Sequence, residues 1–106
     1  MAKYLIRATY TTEGLKGLLK EGGSARRAAV TDLAKGMGAR LEGFYFAFGD
    51  DDVFTIIDGG DDIGAAAVSL VASASGAVRT KVTVLLTPEE IDEATKRSVS
   101  YRPPGH

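Results

Sequence analysis

Four stretches of this chain alternate in two-residue steps, and they carry apolar side chains on both alternating sets. No other feature constrains the fold as much. In ARLEGFYFAF, residues 39–48, Phe44, Phe46 and Phe48 fall on one side of an extended backbone, and Leu41, Tyr45 and Ala47 on the other. In VFTIID, residues 53–58, Phe54 and Ile56 oppose Val53, Thr55 and Ile57. In KYLIRATY, residues 3–10, Leu5 opposes Tyr4, Ile6 and Tyr10. In AVRTKVTVLL, residues 77–86, Val78, Val82, Val84 and Leu86 oppose Arg79, Lys81, Thr83 and Leu85. A sheet covered by helices on one side needs only one apolar face. The other face here is mixed but far from polar, and an uncovered apolar patch of roughly a few hundred Å² or more marks an interaction surface. The expectation is a second copy packed sheet to sheet. A ligand, or the chain's own tail, over that face is the competing reading.

Helical signals separate the strands. TTEGLKGLLK places Leu15, Leu18 and Leu19 on one stripe, with Thr12 as the expected N-cap. Gly22 and Gly23 interrupt it, and Ser24 is positioned to cap ARRAAVTDLAKGM, with Ala25, Ala29, Leu33 and Met37 on one row and Gly38 as the stop. GDDD turns the chain between the second and third strands. IGAAAVSLVASAS reads as a helix with Ile63, Ala67, Leu70, Val71 and Ala74 facing inward. Thr87, Pro88 and Glu90 form a capping box with Pro at the first helical position, and Leu86 and Ile91 are placed to staple it. The order β-α-β-β-α-β, with right-handed crossovers, defines an α+β ferredoxin-like fold with a four-stranded antiparallel sheet. Residues 1–98 read as one domain. Residues 99–106, with Pro103, Pro104 and Gly105, read as a flexible tail.

Composition narrows the function by exclusion. A net charge of -1 supplies no general attraction for nucleic acid or an acidic membrane. The absence of cysteine removes disulfides, thiol chemistry and thiolate metal sites. The opening residues lack a signal-peptide core, and no run approaches the roughly 18 apolar residues of a membrane span. The expectation is a soluble cytoplasmic chain.

YTTEGLKGLLKEG (10–22), GARLEGFYFAFG (38–49) and SGAVRTKVTVLLTPEE (75–90) resemble, in order and spacing, the GYD domain family of small bacterial proteins, over about Lys3 to Lys96. The resemblance implies a dimeric α/β barrel, in which two ferredoxin-like sheets pack face to face. The family's name refers to a Gly, Tyr, Asp pattern at the hairpin. Gly49 and Asp52 fit it, and Asp51 stands at the usual tyrosine position. The wider barrel group includes cofactor-free monooxygenases, haem-dependent enzymes and amino-acid-sensing domains, a breadth that selects none of them.

The residues themselves offer few chemical candidates. GDDDV reads as a hairpin turn whose carboxylates bond local backbone. A Ca²⁺ or Mg²⁺ site would need oxygens from several segments. Solvated tip carboxylates titrate too low for acid–base work at neutral pH. Asp52 opens the third strand and is placed to turn back toward the sheet. Arg79 and Lys81 share one face of the fourth strand, where they would hold a carboxylate or phosphate, or simply guard a sheet edge. Tyr45, with Tyr4 and Tyr10, would line a pocket or fill an interface. His106 ends a Pro-Pro-Gly tail, and neither a nucleophile–base pair nor a nucleotide-binding glycine motif is present. The expected ligand-binding set is therefore Tyr45, Asp52, Arg79 and Lys81, with no metal site, no assigned catalytic residue and no cofactor identified. The expected function is a homodimeric or larger self-assembling module that holds a small molecule between sheet and helices. The alternative is an enzyme of the barrel type, either a cofactor-free or haem-using oxygenase or an isomerase. A third reading is a purely structural subunit.

Overall fold

The computed structural model describes residues 2–106. Local sequence rules account for most of its elements. Strand β1 (Lys3–Tyr10) leads into α1 (Thr12–Glu21) and α2 (Gly23–Gly36). Strands β2 (Ala39–Phe46) and β3 (Val53–Gly59) form a hairpin around the aspartates. Helix α3 (Asp62–Ala74), strand β4 (Val78–Leu85) and helix α4 (Pro88–Thr95) complete the chain. The sheet order is β2-β3-β1-β4, antiparallel throughout. Each crossover skips one strand, as the ferredoxin-like arrangement requires.

Two caps differ from expectation, one by a single residue and one by two. The N-cap of α1 is Thr11, whose hydroxyl accepts the Gly14 N–H, and Thr12 is already helical. Gly22 stands at the N-cap of α2, where no side chain caps the helix, so Ser24 does not serve that role. Asp61 caps α3 by accepting the Gly64 N–H at 2.7 Å. The capping box of α4 forms with both reciprocal bonds. Gly38, at φ +72°, stops α2 in a conformation that L side chains rarely adopt.

The helix-side core centres on Ile6, Ala34 and Ile57, with Met37, Leu41 and Val68 packed around it. Leu41 belongs to this face, not to the face of Tyr45. A β-bulge between Leu41 and Gly43 leaves Glu42 unpaired and reverses the alternation, so Leu41, Phe44 and Phe46 all point toward the helices. β2 ends at Phe46, and Phe48 lies fully in solvent.

Helix α3 is turned about its axis relative to the expected stripe. Gly64, Ala65, Val68 and Ala72 face inward, while Ile63 and Leu70 are 81% and 72% exposed, with Val71 alongside. Tyr4 fixes this orientation. Its ring is buried, and its hydroxyl donates to Asp62 Oδ1 at 2.6 Å, anchoring the first turn of α3 to β1. Likewise α2 presents Val30, Ala34 and Met37 to the core, and Ala25 and Ala29 are exposed. On α1, Gly14 is buried and Leu19 points outward. Helix α4 makes no substantial contact with any other element, and every residue from Ile91 to His106 is exposed. The radius of gyration is 16.8 Å, against about 13 Å for a compact chain of this length.

Candidate functional site

The open face of the sheet, away from the helices, is laid out in rows by the strand register. Tyr45, Phe54, Arg7 and Lys81 form one row across β2, β3, β1 and β4. Below it lie Gly43, Ile56, Leu5 and Thr83. The next row holds Arg40, Asp58, Lys3 and Leu85, where Arg40 pairs with Asp58 at 3.0 Å and Lys3 reaches Glu42 at 2.8 Å. Above Arg7 and Lys81 sit Thr9 and Arg79. The face is thus neutral at one end, apolar in the middle and cationic at the other end.

Three of the four expected ligand residues, Tyr45, Arg79 and Lys81, share this face. Strand spacing separates Tyr45 from Lys81 by about 14 Å, so they line opposite sides of it. The cations gather instead around Asp51. This carboxylate is 7% exposed. It accepts from Lys81 Nζ at 3.4 Å and Thr9 Oγ1 at 3.3 Å, and it lies 3.9 Å from Arg7 Nη1. Arg7 Nε is shut off from solvent and meets no acceptor among the described residues. With Arg79 this end carries three cations, and Asp51 is the one carboxylate paired with any of them among the described residues.

Asp52 has a different task. Its carboxylate accepts the Tyr10 N–H at 2.9 Å, its own N–H donates to Ala8, and its carbonyl accepts from Ala47. It ties the hairpin to the end of β1 and does not reach Arg79 or Lys81. Among the described residues no group of three His, Asp or Glu side chains is arranged to hold a metal ion.

A second site lies on the helix side. Between α2, α3 and the sheet is an apolar cavity of about 80 Å³, lined by Ile6, Val30, Phe44, Val53 and Val68. It shares Tyr10, Arg26 and Leu33 with a groove of about 400 Å³ that opens under α1, beside Gly14 and Gly17. Polar groups converge at this mouth. Arg26 Nη1 is 3.5 Å from Glu21, while Arg26 Nε is buried and meets no acceptor among the described residues. Burial raises the Tyr10 hydroxyl above its ordinary pKa, and the nearby Arg26 guanidinium only partly opposes this. At neutral pH Tyr10 is therefore a proton donor in hydrogen bonds and not a base.

Sequence reasoning missed Arg7, Thr9, Asp51 and Arg26. The alternation of β1 places Arg7 and Thr9 on the face of Lys81, which was a readable signal. No comparable signal marked Arg26.

The architecture and the two-sided sheet define a small α+β protein of the ferredoxin-like class. The model of the GYD domain matches residues 4–95, and the chain belongs to the GYD domain family. No curated protein and no solved structure matches the chain.

Proposed function

We propose that this protein is a homodimeric binding module for a small molecule with an apolar body and an acidic group. Two copies would pack open face to open face, and each would hold its ligand between sheet and helices. The observation that carries the binding half is an apolar cavity that shares Tyr10, Arg26 and Leu33 with a larger groove, where Arg26 Nε meets no acceptor among the described residues. Ligand pockets are mostly apolar with a few placed polar groups, and a guanidinium suits a carboxylate. The dimer half is supported by Leu5, Phe54, Ile56, Leu85 and the 66% exposed Tyr45 on a face that no helix of the chain covers. An enzymatic reading lacks its base, since Tyr10 is held protonated and Asp51 is engaged by cations on the opposite face.

Two measurements test this. Light scattering should give twice the 11.1 kDa mass of one chain. Titration with hexanoate, followed by amide chemical shifts, should move Tyr10, Arg26 and Val68, while hexanol binds more weakly and Arg26→Met removes the difference. A monomer at high micromolar concentration refutes the dimer. Hexanoate shifts that are absent, or scattered over the surface, refute the pocket.

A further inference from the structure

The least explained part of the molecule is α4. It carries Glu89, Glu90, Asp92 and Glu93 with no basic residue in its last turn. Glu90 is consumed by the capping box, where its carboxylate accepts the Thr87 N–H. The other three acids make no ion pair among the described residues. Leu86 and Ile91 beside them are 57% and 47% exposed. A short helix with no substantial contact to the rest of its chain gains little tertiary stabilisation, which is where most helical stability comes from.

The complementary surface is the cationic end of the open sheet face. Arg79 makes no ion pair among the described residues, and Arg7 and Lys81 share a single carboxylate, Asp51. The area argument points the same way. Eight residues at about 3.3 Å and four strands at about 4.8 Å give a sheet face of roughly 500 Å². A stable interface takes about 800 Å² per partner. The sheet face alone is a small platform for a stable dimer, and an additional element would enlarge the contact.

We propose that α4 of one copy docks on the Arg79 end of the open sheet face of a second copy. This rests on the dimer reading above. A two-fold axis that runs the strands of the two sheets in opposite senses lays the Leu85 end of β4 over the partner's Val78 end. Helix α4, starting three residues after Leu85, then emerges beside the partner's cations. The acids meet Arg79 at the rim, and Leu86 and Ile91 extend the apolar contact.

A charge-swap pair tests the contact in trans. One variant is Arg79→Glu, chosen because Arg79 makes no ion pair among the described residues. The other carries Glu89→Lys, Asp92→Lys and Glu93→Lys, leaving the Glu90 box intact. At low ionic strength each alone should dimerise about tenfold or more weakly than the parent chain, since exposed pairs are individually weak but occur twice per dimer. An equimolar mixture should recover to within about threefold, because only the mixed dimer restores both contacts. Removal of residues 87–106 should weaken dimerisation without unfolding the sheet, read by circular dichroism. Variants that dimerise like the parent, or a mixture that recovers nothing, overturn the α4 contact and leave the sheet dimer standing. A parent chain that stays monomeric overturns both.

Discussion

Replacing Gly14 by alanine tests how closely α1 is seated on the end of β4, which shapes the groove. A Cβ at Gly14 would lie 2.0 Å from the Ala77 carbonyl oxygen and 2.8 Å from Tyr10 Cδ1. The backbone oxygen cannot move aside, because it accepts the Thr11 N–H at 2.9 Å. Helix α1 must therefore lift by more than about 1 Å. Overpacking of this kind costs about 1–3 kcal/mol. Loss of the Thr11 bonds to Ala77 and Gly76 adds about 1 kcal/mol each. Alanine returns about 1 kcal/mol through helix propensity. The net expectation is about 2–4 kcal/mol of destabilisation. Gly17 is the internal control. It sits one turn away in the same helix, and a Cβ there meets nothing within 4 Å. Gly17→Ala should stabilise by about 1 kcal/mol. At about 4–8 °C per kcal/mol for a domain of this size, the two variants should melt on opposite sides of the parent. Thermal scans at one fixed protein concentration provide the readout, since self-association makes Tm concentration-dependent. If Gly14→Ala melts with or above the parent while Gly17→Ala rises, α1 is not seated on Ala77.

Tyr4 gives a pH prediction. Its hydrogen bond to Asp62, helped by burial, raises the hydroxyl from 10.0 to about 12. The unfolded chain thus loses this proton first, and the contribution is complete below pH 10 and lost as pH rises toward 12. Urea unfolding across that window should show a steeper loss for the parent than for Tyr4→Phe; equal slopes would refute the link. The orientation of α3 is tested by Leu70→Lys and Ala65→Lys. The first should leave the stability of the unassembled chain within about 0.5 kcal/mol, whereas the second places a charge at a 2% exposed position and should prevent folding. The reverse result would mean that α3 is rotated.

Legibility in the sequence followed the range of the interactions that decide each feature. The element order, the α4 capping box and the alternation of β1, β3 and β4 depend on neighbours within a few residues, and all were readable. The orientation of α3 was not, because every residue from Ile63 to Ala74 is apolar or small, so either face satisfies a hydrophobic stripe. A contact 58 residues away, Tyr4 to Asp62, makes the choice. Simple alternation puts Leu41 on the open face, and one extra residue, Glu42, shifts it to the helix side. Gly43, inside a strand, was the available hint of such a bulge. The three aspartates were alike on the page. Register separates them: the bonds of Asp52 to Ala8, Tyr10 and Ala47 lock the hairpin, and that placement turns Asp51 toward Arg7 and Lys81. A tyrosine at position 51 could not neutralise Arg7 and Lys81 as a carboxylate does. In this chain the open face therefore carries less positive charge than the same framework would with tyrosine at 51. With Arg7 and Lys81 both on Asp51, Arg79 is the cation at this end that pairs with no carboxylate among the described residues.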